Sequence, residues 1–250
     1  YFLLFGVFVF VGQEEMQLFI PEWWYIREFL FQPGGFCAVA GQWIIQYYRQ
    51  PMSAVVFHTV LLVGCGFMVY RILRCFSDKT YLLFLSLLPV LYLVKMSIHG
   101  EYLVDGTVGV VLMLLALSVS LKVRRAGSIA GYGIASTLFL CGLTGLLSVC
   151  YAFLYTLLAL LRYKTSRQRL AASACLIPAL FIYLFSGWLG IPVPLSDGWM
   201  PEAYLEIQRL PHYYMYRVWT FFTLSIVGVA LFARFVPVIG EKSKWMDRVA

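Results

Sequence analysis

Charge is what this sequence has least of. Asp, Glu, Lys and Arg together make up 12% of its 250 residues, about half the share carried by ordinary soluble domains. That scarcity excludes a soluble globular protein, a disordered tail and a coiled coil, and without a Gly-X-Y repeat the chain is not collagen. Cysteine is sparse and scattered. Cys37, Cys65, Cys75, Cys141, Cys150 and Cys175 include no C-x-x-C pair, too few for a disulfide-stapled module and wrongly spaced for zinc or redox chemistry. The three histidines, His58, His99 and His212, lie far apart and form no H-E-x-x-H motif. No metal or cofactor is therefore expected. Basic residues interleaved with aromatics in a stretch long enough to fold in water are missing too, so nucleic acid is not an expected partner.

What is present is apolar. Hydrophobic residues make up 62%, aromatics 18%, and the mean hydropathy is +0.82. About 20 apolar residues in helix cross a bilayer, where no water satisfies an exposed backbone. Apolar runs occupy 1–11, 52–70, 81–94, 107–121, 171–189 and 218–236, with a longer one at 128–161. The first is short, lacks an initiator Met and a basic flank, and reads as the remainder of a helix that begins upstream, so that the chain is a fragment. The run 128–161 is flanked by basic residues at both ends. An even number of crossings is then required, with a turn near Gly142 to Gly145. Pro89 and Pro178 read as kinks within spans. The expected fold is all-α: one polytopic membrane domain over 1–250, with about eight transmembrane helices and interfacial helices in the first external loop.

Charge then assigns the sides. Fourteen of the nineteen basic residues fall in 71–80, 122–127, 162–170 and the end from Arg234, which the positive-inside rule makes cytoplasmic, C-terminal end included. Nine of the twelve acidic residues fall on the opposite face, in or beside loops at about 12–51, 95–106 and 190–217. The first of these is rich in aromatics. Over 36–50, Gln42, Gln46, Arg49 and Gln50 share one side of a helix, with Phe36, Ala40, Trp43 and Tyr47 on the other, as in a helix lying on a bilayer. Pro33, Gly34 and Gly35 break the chain before it, and Trp23, Trp24 and Tyr25 mark a second interfacial segment or a depth-setting aromatic belt.

Chemistry, if any, belongs to the external face. No apolar run carries an acidic residue at mid-depth, which argues against ion-coupled transport. Glu14 and Glu15 leave the first run where bilayer meets water, a setting that raises a carboxyl's pKa and suits a general base. Polarity at a helix exit explains them equally. Glu101 and Asp105 stand four apart at the start of the run 107–121 and share a helix face, where favourable charge at a helix N-terminus is the alternative. Lys95 and His99 precede them as phosphate-binding candidates, and Arg27, Arg49 and Arg209 are further external cations.

Glu15, Gln17, Leu18 and Phe19, then Pro33, Gly34 and Gly35, then Gln46, Tyr47, Tyr48 and Pro51 resemble the N-terminal region of a family of uncharacterised bacterial multi-pass membrane proteins, a domain of unknown function. That resemblance covers roughly the first sixty residues and carries no activity. More loosely, the order of first span, acidic residue and large external loop is similar to the GT-C class of membrane glycosyltransferases. It implies transfer of sugar from a polyprenyl phosphate at the external face of a bacterial inner membrane. Glu14 or Glu15 would be the base, Glu101 or Asp105 the supporting carboxylate, and Arg27, Arg49, Lys95, His99 and Arg209 the cations for the departing phosphate. A non-catalytic scaffold in envelope biogenesis is the main alternative, and a lipid or solute transporter the third.

Overall fold

The computed structural model describes residues 19–77, 81–97, 104–145, 147–185 and 221–234, and among these every regular element is a helix. Among the described residues the first elements are two short helices, α1 (Trp23–Leu30) and α2 (Gly35–Ile45), followed by a 3₁₀ turn at Gln46–Arg49. The turn between them follows from Pro33, Gly34 and Gly35. Gly34 takes a left-handed φ of 86°, open to glycine without strain, and a Cβ on Gly35 would collide with the Phe29 carbonyl. The Gly34 N–H donates to the Gly142 carbonyl at 3.1 Å, which pins this turn to the last turn of a later helix.

α3 (Pro51–Leu73) starts with proline at its first helical position, where the missing N–H has no partner to lose. α4 (Leu82–Leu85) and α5 (Leu87–Met96) fill the run at 81–94. They separate because Pro89 has no N–H for the Leu85 carbonyl four residues back. α6 (Val104–Ser120) fills the run at 107–121 as a single helix, and α7 (Ala126–Thr144) and α8 (Leu147–Arg162) divide the long run 128–161. The division falls at Gly145, with φ 63°, within the stretch read from sequence as the turn. Then come α9 (Ser166–Ser173) and α10 (Leu176–Leu184), interrupted where Pro178 has no N–H for the Ala174 carbonyl, which accepts instead from the Ile177 N–H at 3.2 Å, and α11 (Phe221–Arg234). The expected kinks at Pro89 and Pro178 are thus breaks, each placed one turn before its proline.

One large core joins α3 to α8 through Leu62, Leu73, Met113, Leu117, Tyr151 and Leu158, and a smaller one gathers Cys37, Ile45, Tyr48, Val104 and Val108. Several polar side chains inside are satisfied within their own helix or by a neighbouring one. Thr137, Thr144 and Thr156 donate to carbonyls one turn back, at 2.8 to 2.9 Å, and Ser120 meets the Tyr151 hydroxyl at 2.6 Å between α6 and α8. α11 runs antiparallel to α4 and α5, with Phe221 stacked on Tyr92 and Phe232 against Tyr81.

The basic loops converge at one end. The Tyr163 hydroxyl donates to the Val123 carbonyl at 2.7 Å, and the Gln168 amide donates to the Arg124 carbonyl at 2.7 Å. Cys75 and Phe76 pack into the same cluster as Val123 and Tyr163. The acidic residues among the described ones are Glu22, Glu28 and Asp105, and they belong to the opposite end, with α1 and α2.

Outward surfaces are apolar. Met52, Val56, Val60, Val63 and Phe67 form an exposed stripe along α3, and Ile177, Leu180, Phe181 and Leu184 another on α10. Among the described residues two helices, Met52–Leu73 and Ala126–Thr144, are long and apolar enough to cross a membrane, where the sequence leads one to expect eight.

Candidate functional site at the end away from the basic loops

Asp105 is the described carboxylate that the fold treats most unusually. It occupies the first turn of α6, ahead of the apolar stretch 107–121, yet is only 2% exposed. α2 crosses directly over it. A Cβ built on Gly41 would lie 2.7 Å from the Asp105 Cβ and 2.8 Å from its Cα and N, so this contact exists only because position 41 lacks a side chain. Cys37, one turn earlier on α2, is buried beside the same turn of α6, with Sγ 3.6 Å from where a Cβ on Gly109 would stand. Small residues four apart, Cys37 and Gly41, let the two backbones approach.

The Asp105 carboxylate accepts from the Gly106 N–H at 2.9 Å and from its own backbone N–H, and no ion pair reaches it from any described residue. Burial pushes the Cys37 thiol well up. A carboxyl buried without a counter-charge from any described residue is the kind of group that acid–base chemistry uses.

The cap over Asp105 is locked from several directions. The Tyr25 hydroxyl on α1 donates to the Gln42 side-chain oxygen on α2 at 3.1 Å. Partial burial raises Tyr25, more than its bond to Gln42 lowers it. Tyr48, from the 3₁₀ turn, sits fully buried with its hydroxyl 3.4 Å from His58 Nδ1 on α3. Gln42 corrects the interfacial pattern drawn from sequence. It is buried, while Phe36, Trp43 and Tyr47 are exposed, so α2 turns its small and polar face into the bundle and its aromatic face outward.

Of the other sequence candidates, Arg27, Arg49 and Lys95 are described. Glu14, Glu15, Glu101, His99 and Arg209 lie outside the described residues. Arg27 sits in the last turn of α1 with its guanidinium 5.6 Å from the centre of the Phe31 ring. Arg49 is exposed at the end of the 3₁₀ turn and Lys95 is exposed near the end of α5, and among the described residues neither they nor Arg27 bond to Asp105. No cluster of three or more metal-ligating side chains occurs among the described residues. Gly41 and Cys37 escaped the sequence reading, although their four-residue spacing beside Ala38 was a visible small-residue face.

The fold and this site define an all-helical protein with apolar outward faces, two helices long and apolar enough to cross a membrane, and a buried carboxyl beneath a helical cap. The chain belongs to a family of unknown function, DUF6057, whose model matches residues 1–248. Neither a curated protein nor a solved structure matches it.

Proposed function

We propose that the chain is a multi-pass protein of a bacterial inner membrane, with its basic loops cytoplasmic and the α1–α2 cap on the outer side. The exposed stripes support this. Soluble monomers rarely expose contiguous apolar patches beyond a few hundred Å², whereas the stripe on α3 runs from Met52 to Phe67. A core helix of a soluble protein also meets the length and hydropathy needed to cross a bilayer, but it is mostly covered. Only 33% of the most apolar stretch of α3, and 22% of that of α7, is buried. Hydrocarbon solvates such faces without penalty. The 17 residues of α6 reach ~26 Å as helix, close to the span of a thin bilayer.

At the outer end we assign transfer of a sugar from a polyprenyl phosphate, the reaction of the GT-C class. Glu14 or Glu15 takes the proton of the acceptor hydroxyl. The oxygen attacks the anomeric carbon, and the bond to the lipid phosphate breaks with its electron pair leaving on phosphate. Arg27, Arg49, Lys95, His99 and Arg209 are the cations available to that phosphate, and Glu101 or Asp105 the supporting carboxylate. The observation that carries this reading is Asp105, a carboxyl buried under the helical cap, at the end that also bears the exposed Trp23 and Trp24; such exposed tryptophans suit the lipid-headgroup region.

Mass spectrometry of lipids that co-purify with the full-length protein and with a Glu14→Gln, Glu15→Gln variant tests it. A retained polyprenyl-phosphate sugar that accumulates in the variant is the expected result. Bulk phospholipid alone in both moves the assignment to a scaffold in envelope biogenesis. The packing of Gly41 on Asp105, which closes one side of the carboxyl with backbone, favours that second reading.

A further inference from the structure

A groove of about 530 Å³ opens at the other end of the molecule, between α8 and α9, within the ~300–1,000 Å³ typical of small-molecule sites. Its walls are of two kinds. Thr156, Leu160, Leu170 and Ser173 make a mostly apolar trough, and Arg167 and Arg169 stand at its rim. Arg169 is held in place by its Nε donating to the Tyr163 carbonyl at 2.9 Å, while no bond to a described residue uses its Nη groups or any part of the Arg167 guanidinium. Behind the wall, Thr156 Oγ1 approaches the buried Cys175 thiol at 3.5 Å. α9 begins at Ser166 with no side chain capping its first-turn N–H groups, so the helix dipole adds positive potential at the same rim. None of the described acidic residues lies at this end.

We propose that this groove holds one anionic phospholipid of the cytoplasmic leaflet. An acyl chain lies along Leu160 and Leu170, and the headgroup phosphate sits between Arg167 and Arg169. A cationic rim over an apolar trough at the membrane–water boundary matches the two halves of such a lipid, and a zwitterionic lipid lacks the net charge to match the rim. Free phosphate would meet the arginines but leave the leucine wall in water. The proposal rests on the membrane reading and the sidedness given above, and is independent of the sugar-transfer assignment.

Native mass spectrometry of the full chain in detergent, titrated with phosphatidylglycerol or with phosphatidylcholine of the same chains, tests it. Phosphatidylglycerol is expected to bind several-fold better. Arg167→Gln, at an exposed position outside the core, should lower that preference about fivefold, the effect of one basic residue at a charged membrane surface. Ser173→Phe, which fills the trough and leaves every charge in place, should reduce occupancy by both lipids. Arg125→Gln removes an exposed charge from the same end but not from the groove, and should bind as the wild type does. Equal binding of the two lipids, an equal loss in Arg125→Gln and Arg167→Gln, or displacement of the lipid by excess inorganic phosphate would overturn the proposal. Recovery of the protein from the soluble fraction of cells would overturn it together with the membrane reading, which separates that failure from failure of the groove alone.

Discussion

Asp105 and Gly41 meet so closely that each constrains what the other can be. Asp105→Asn keeps an oxygen for the Gly106 N–H but carries no charge. It should melt higher than the wild type at pH 8, since the variant buries no unpaired charge. An equal or lower melting temperature for the variant in thermal-shift scans would contradict this. At position 41 a methyl group has nowhere to go, because the atoms it would strike are backbone and Cβ. Gly41→Ala should therefore destabilise by ~1–3 kcal/mol. Gly127 and Gly131 have nothing within 4 Å of a built Cβ, and alanine there, on a helix, should be neutral or stabilising by up to ~1 kcal/mol. A melt of the three variants side by side checks the contrast.

Helices were the most legible elements, because apolar runs and prolines speak directly to them. The division of 128–161 at Gly145 followed from its basic flanks, while Pro89 and Pro178 were legible as kinks and proved to be breaks, because the missing N–H of proline coincides with a change of helix one turn earlier. α2 was read less well. The sequence puts Gln42, Gln46, Arg49 and Gln50 on one helical face, but the α-helix ends at Ile45, those last three residues are exposed, and Gln42 points into the bundle to meet Tyr25, a contact across 17 residues that no local periodicity reveals. The same holds for Asp105, whose spacing from Glu101 is readable while the helix that buries it lies more than sixty residues upstream. Between elements, the 2.6 Å bond of Ser120 to the Tyr151 hydroxyl ties α6 to α8 within the large core. Tyr151→Phe should cost ~1–3 kcal/mol, since Ser120 is left without that partner. Adding Ser120→Ala should recover part of the loss. Simple additivity in that double-mutant cycle would show that the pair is not coupled.

At the scale of the whole molecule, charge asymmetry in the sequence becomes geometry in the fold. Loops separated by about forty residues, around Val123 and Tyr163, are joined by hydrogen bonds at one end, and Asp105 lies at the other. Sequence reasoning could assign these loops to one side because loop charge is additive and needs no tertiary contact. It had less access to the candidate site, which depends on one close helix crossing. Sidedness is the claim on which both the outer-face activity and the inner-leaflet lipid groove stand. Cysteine-substitution labelling in the full-length protein, with the six native cysteines replaced by Ala or Ser, tests it most directly. Arg49→Cys should react with a membrane-impermeant maleimide added to spheroplasts. Arg125→Cys and Lys164→Cys should react only after the inner membrane is opened. Labelling of Arg125→Cys or Lys164→Cys from outside, or protection of Arg49→Cys until lysis, would contradict the orientation proposed here.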